Sequence, residues 1–188
     1  MLEAKEFREL KRRRFKPYSA GHQAMYEVPL ALMKRNDRSA ARYLILEIGF
    51  GIGWGLDRMV ENGIVGALDR YVGYEPDEES FDFVFARHGK RSGITLINAA
   101  FGAVSGLPFD HIFCIEVIEH VPAVEHAGFL GSLRSASRSG TLWLSTPDSQ
   151  RNDHGVRPAA EWRAMLKNAG FSDVTVHQDQ WTTLFVCQ

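Results

Sequence analysis

The sequence predicts an α/β fold in which a mostly parallel sheet carries helices on both faces, and three observations carry that prediction. Short apolar segments alternate with helical ones between residues 43 and 171, the pattern of repeated strand-helix-strand units. A glycine-rich turn follows the first of these strands directly, in Ile45-Leu46-Glu47-Ile48-Gly49-Phe50-Gly51-Ile52-Gly53-Trp54-Gly55. Residues 173–177 and 181–186, only a few positions apart, can pair as a hairpin, which makes the last strand antiparallel.

Taken in order, residues 4–14 and 20–35 read as helices and form an N-terminal helical lid or extension over 1–40, ahead of a principal domain over 41–188. Tyr43-Leu44-Ile45-Leu46 supplies the first buried strand, and the glycines after it let the backbone turn sharply and approach a ligand. That turn opens a helix over 54–63. A dinucleotide fingerprint, Gly-x-Gly-x-x-Gly, fails in every register: its last position falls on Trp54, Leu56 or Arg58. Glu47 also puts a negative charge close to where a pyrophosphate would sit, so a ligand with a cationic end fits better.

The second strand, 71–77, ends in Glu75-Pro76-Asp77. A carboxylate there can accept both hydroxyls of a ribose, chemistry that dinucleotide folds share; a solvated acid in a turn is the other reading. A helix over 77–88 leads to a third strand over 93–97, which ends in Asn98-Ala99. The fourth is carried by Phe109-Asp110-His111-Ile112-Phe113-Cys114-Ile115-Glu116-Val117-Ile118-Glu119-His120-Val121-Pro122. A helix over 122–137, a fifth strand over 140–148 and a helix over 158–169 complete the alternation.

The glycine string, with its spacing Glu-x-Gly-x-Gly-x-Gly, resembles the first motif of the class I S-adenosylmethionine-dependent methyltransferases, whose cofactor carries an ammonium and a sulfonium and no phosphate. The fourth-strand string resembles the phrase Phe-Asp-x-Val-x-Cys-x-Glu-Val-Leu-Glu-His-Val of a subgroup that includes the ubiquinone-pathway O-methyltransferases. More distantly, it is similar to the enzymes that modify the 3′-terminal ribose of small RNAs. The likeness extends over nearly the whole chain, through Ser145-Thr146-Pro147-Asp148 and the Ala169-Gly170-Phe171 terminus of the next helix. It implies a Rossmann-like three-layer sandwich with a seven-stranded, mostly parallel sheet and an antiparallel last strand. It also implies S-adenosyl-L-methionine as donor and S-adenosyl-L-homocysteine as product. Carried onto this chain, the cofactor-binding set is Glu47, Gly49, Phe50, Gly51, Gly53, Glu75, Pro76, Asn98, Ala99 and Glu116. Pro76 would then lie close to the adenine. Asn98, where the family commonly has an acid, either bonds the adenine amino group or is a turn asparagine; Phe101 packs on the adenine or on the core.

In-line methyl transfer asks the protein for alignment and, for a hydroxyl acceptor, removal of a proton. His120 and His154 are the candidate general bases, since an imidazole titrates near neutrality; a helix-packing His120 and a loop His154 are the plain alternative. Glu116, Glu119 and His120 share one face of a helical turn and with His154 suggest a divalent-cation site. The small-RNA enzymes hold a metal with such a cluster, but they have a second adjacent histidine where this chain has Val121, so no metal is expected. The leading expectation is therefore methylation of an oxygen or nitrogen of a small or medium-sized acceptor. The alternatives are metal-assisted 2′-O-methylation of an RNA end, or a cofactor-binding partner subunit that is not itself catalytic.

Composition fits one enzyme domain: 188 residues, 45% of them hydrophobic, with a formal charge of −1. Residues 1–40 hold ten Lys or Arg against five acids and the rest twelve against eighteen. The run Lys11-Arg12-Arg13-Arg14-Phe15-Lys16 reads as a solvated helix face or as a phosphate contact. Two cysteines, Cys114 and Cys187, form neither a disulfide framework nor a metal cluster, which suggests a reducing compartment. No stretch approaches the roughly 20 apolar residues of a membrane span, and the charged N-terminus lacks the apolar core of a signal peptide, so a cytoplasmic location is expected. His88, His111, His126 and His177 show no partner in the sequence and receive no role.

Overall fold

The computed structural model describes residues 20–35, 43–66, 69–102, 108–137, 140–147, 157–178 and 182–188. The predicted helix over 4–14, the basic run at 11–16 and His154 lie outside them. Helix α1 (Ala20–Arg35) precedes β1 (Leu44–Ile48), α2 (Trp54–Glu61), β2 (Arg70–Tyr74), α3 (Glu78–His88), β3 (Ile94–Ile97) and β4 (His111–Ile115). Two short 3-10 turns, Ile118–His120 and Ala123–Glu125, lead into α4 (His126–Ser137). Then come β5 (Thr141–Pro147), α5 (Ala159–Asn168), β6 (Val174–Gln178) and β7 (Thr182–Cys187). The seven strands form one sheet in the order β3-β2-β1-β4-β5-β7-β6. Neighbours from β3 to β5 run parallel, and β7 lies antiparallel between β5 and β6. This is the Rossmann-like α/β sandwich with an antiparallel last strand.

Central strands are apolar because both faces are covered. All five residues of β4 are buried, and alternate side chains feed two cores on opposite sides of the sheet. One core takes Ile45, Phe113 and Trp143 with α1, α2 and α3; the other takes Leu46, Ile112, Cys114 and Leu144 with α4 and α5. Helix α1 belongs to the first through Met25, Tyr26, Leu30 and Met33, so the described part of the N-terminal extension is a core element. Helix α3 is locally encoded at both ends. The Asp77 side chain accepts from Ser80 N at 3.0 Å, acids occupy the first turn, and Arg87 and His88 complement the dipole in the last.

The sequence reads the Phe109–Pro122 string as carrying the fourth strand, with Glu116, Glu119 and His120 on a helical turn and a helix over 122–137. The strand stops at Ile115 and Ile118–His120 forms a 3-10 turn, but the α-helix begins only at His126. Glu116 departs from extended geometry with φ +52°, and Pro122 has ψ 135°, so neither strand nor helix continues through the segment. The Glu116 amide is held there by the next strand, donating to Ser145 O and Ser145 Oγ at 3.2 and 3.1 Å.

Candidate functional site

The turn after β1 is tied to the end of β2 by backbone and side chain together. Gly49 N and Phe50 N both donate to Tyr74 O, at 2.8 and 3.4 Å, and Gly51 N donates to Glu75 Oε2 at 2.7 Å. The other carboxylate oxygen of Glu75 accepts from Asp77 N at 2.9 Å. Burial raises the Glu75 pKa above the ordinary carboxylate value, while the two amides favour the charged form. Gly49 has φ +67°, and a Cβ added there would stand 2.6 Å from Val117 Cγ2. Gly73 is required for a different reason: a Cβ on it would meet the buried ring of Phe50 at 2.7 Å.

Beside this turn, at the carboxyl ends of β1, β2 and β4, opens a cleft of about 490 Å³. Binding sites of open α/β sheets lie at that end. Five of the sequence-predicted site residues, Gly49, Glu75, Pro76, Glu116 and His120, share its walls. Much of the remaining lining is apolar and was missed, including Tyr74, Val117, Val121 and Phe129. Phe101 also lines the cleft and packs edge-to-face on both Tyr74 and Phe129, with ring centroids 5.6 and 5.9 Å apart. Alternate-position reasoning cannot find Phe129, because it reaches the cleft from α4 across a break in regular structure.

The other predicted residues stand elsewhere. Phe50 belongs to the core, and Gly51 and Gly53 shape the turn without lining the cleft. Asn98 donates its Nδ2 to Glu75 O at 2.8 Å and Pro76 O at 3.4 Å, so the side chain latches the end of β2. Ala99 also lies outside the lining, which passes to Ala100 and Phe101.

Glu47 is 0% exposed, and its carboxylate accepts from Tyr26 OH at 2.8 Å and Tyr71 OH at 2.6 Å. Burial raises its pKa to about 7 against the two tyrosine bonds that lower it. The acid before the glycine string thus joins α1 to β2 rather than facing the cleft. Glu119 is 6% exposed, and burial, with the Glu116 charge, raises its pKa to about 8. Among the described residues no group of three or more His, Cys, Asp or Glu is placed to hold a metal ion.

Three of the histidines left without a role have structural partners. His88 Nε2 lies 2.7 Å from Asp57 Oδ1, and His111 Nδ1 receives Trp143 Nε1 at 3.4 Å. His126 Nε2 meets Val121 O at 2.9 Å while its Nδ1 receives Arg157 Nε at 3.3 Å, which fixes the imidazole with its proton on Nε2.

Comparison with known proteins agrees with this architecture. A family model described as a methyltransferase domain matches residues 20–183. No curated protein gives a significant sequence match. Among solved structures, magnesium protoporphyrin IX methyltransferase from Synechocystis PCC 6803, with bound S-adenosylmethionine, superposes with a TM-score of 0.70 at 18% identity, covering 98% of this chain and 91% of its own. The 1,6-didemethyltoxoflavin-N1-methyltransferase of Burkholderia thailandensis, with its acceptor and S-adenosylhomocysteine, gives 0.69 at 14%, covering 90% and 78%. A methyltransferase dependent on S-adenosylmethionine from Aquifex aeolicus gives 0.68 at 16%, covering 100% and 98%. At such identities the likeness is one of fold, and the family rests on the match over 20–183. The chain belongs to the methyltransferase-domain family, with the fold of the class I S-adenosylmethionine-dependent enzymes.

Proposed function

We propose that this protein transfers a methyl group from S-adenosylmethionine to an oxygen or nitrogen of a small or medium-sized acceptor. The observation that carries this reading is the convergence of the glycine turn and the Glu75 carboxylate on one cleft, with Gly51 N bonded to Glu75. The residues fit the donor. The cleft volume lies in the range of small-molecule sites. Glu75 offers a carboxylate whose oxygens each retain a lone pair for a ribose hydroxyl after accepting one amide. Pro76, Phe101, Val117 and Phe129 offer apolar walls to an adenine. Carboxylates at Glu75, Glu116 and Glu125 favour a ligand with cationic groups, and among the described lining residues there is no Lys or Arg. That electrostatic balance supports a small acceptor over an RNA end, and the metal-assisted reading draws no support from the described residues.

When bound, the donor supplies an electrophilic methyl. The chain's own residues align the two reactants and exclude water from the apolar walls. His120, on the lining, is the proposed base for an acceptor hydroxyl.

Calorimetry with S-adenosylhomocysteine tests the donor half. Wild type is expected to bind one equivalent, and Gly49→Val to lose about a hundredfold in affinity, about 2.7 kcal/mol, from strain at positive φ and the clash with Val117. Absence of binding by wild type sinks the proposal. Once a methyl-transfer screen identifies an acceptor, His120→Gln should lower kcat by about a hundredfold or more while leaving S-adenosylhomocysteine affinity unchanged. An unchanged kcat removes His120 from the chemistry.

A further inference from the structure

The glycine turn has a second fastening besides Glu75, which the sequence did not disclose. Arg87, in the last turn of α3, donates Nη2 to Ile52 O at 2.5 Å and Nη1 to Asp57 Oδ2 at 2.8 Å. Its guanidinium lies over the buried ring of Phe83, 4.6 Å from the centroid. Asp57, in the first turn of α2, receives His88 on its other oxygen at 2.7 Å; a carboxylate only accepts, so Nε2 is the donor. The fit around the turn is close, since a Cβ on Gly53 would stand 2.9 Å from Arg87 Nη2. One guanidinium therefore spans the carbonyl of the turn and the start of the helix it opens.

We infer that Arg87, braced by Asp57 and His88, is a positioning residue that sets the glycine turn in its ligand-binding form. The inference rests on the methyl-donor reading above. Gly49 lines the cleft and Ile52 lies three residues further on, buried and held by Arg87. Between them, Gly51 N is held by Glu75, which itself lines the cleft. With both fastenings the turn is held at two adjacent residues, Gly51 and Ile52, by two different elements. With Glu75 alone, movement of the turn carries the Glu75 carboxylate with it, and the ordering lost must be restored when the donor binds. Arg87 is not part of the cleft lining, so its influence passes through Ile52 and α2 rather than through contact with the ligand.

S-adenosylhomocysteine calorimetry on the full chain, at a temperature well below each variant's thermal midpoint, tests this. Arg87→Met should bind about tenfold more weakly than wild type, in the range by which residues away from a ligand alter its affinity. Arg87→Lys keeps a positive charge near Asp57 but not the fork that also reaches Ile52 O, and should lose about threefold. A residue serving stability alone would lower the thermal midpoint and leave affinity unchanged. Affinities of both variants within twofold of wild type overturn the inference and leave the methyl-donor reading standing. If Arg87→Met does not fold, Arg87→Lys decides alone: a loss of twofold or more supports the positioning role, and a smaller one overturns it. Failure of wild type to bind overturns both.

Discussion

The floor beneath the glycine turn and the end of β4 each hold a buried carboxylate whose pKa burial raises, and the chain treats the two in opposite ways. Glu47 receives a tyrosine hydroxyl on each oxygen and cross-links α1 to β2. Glu119 has one oxygen, Oε2, buried with no hydrogen-bond partner among the described residues. The first arrangement is a fastening, in which the bonds offset the cost of taking the acid out of water. The second is held against stability, beside a glutamate in the left-handed region and next to the cleft lined by Glu116 and His120. Departures from local rules of this kind gather where a structure is shaped for function rather than for its own stability.

pH separates the two most sharply. Between 4.5 and about 8 the folded chain retains a proton on Glu119 that the unfolded chain releases, so stability falls as pH rises through that window. Glu119→Gln removes the titration, and between pH 5 and pH 8 it should gain on the order of 3 kcal/mol relative to wild type in denaturant unfolding. Parallel pH-stability curves for the two proteins would break the comparison. Glu47 has the same sign over the narrower window from 4.5 to about 7. Tyr71→Phe sharpens the contrast: it should cost about 1.5 kcal/mol at pH 8, where the charged Glu47 uses the hydroxyl, and less at pH 5. An equal loss at both pH values would mean that the bond does not serve the charged form.

Most of the fold was legible because it is written in local signals. Apolar runs and the glycine string place strands and most helix starts within a residue or two of the observed ones, and the closing hairpin is where its spacing put it. In the segment 116–125 the turn carrying Glu119 and His120 was legible and the late start of α4 was not, because it follows from backbone breaks at Glu116 and Pro122 that no local signal marks. In the candidate site, Gly49, Glu75, Pro76, Glu116 and His120 were singled out through motif position, and all five line one cleft. Glu47 was read as facing the ligand because it adjoins the glycines, but Tyr26 and Tyr71, both more than 20 positions away, take its carboxylate. Asp57 with Arg87 and His88, and His126 with Arg157, are likewise pairs about 30 residues apart, and no periodicity announces such pairs. Asn98 donates to two backbone carbonyls that only the folded strand ends present, a contact that motif position does not announce.

The placement of β7 between β5 and β6 also bears on how the protein is made. On the ribosome β5 and β6 emerge first, yet in the finished sheet they do not pair with each other, because their common partner is residues 182–187. Until those residues leave the exit tunnel, Leu142, Trp143 and Leu144 stand on an open sheet edge, the kind of surface on which nascent chains associate. Completion of the sheet on that side therefore waits for residues 182–187, and until then the β5 edge is one that a chaperone would have reason to cover.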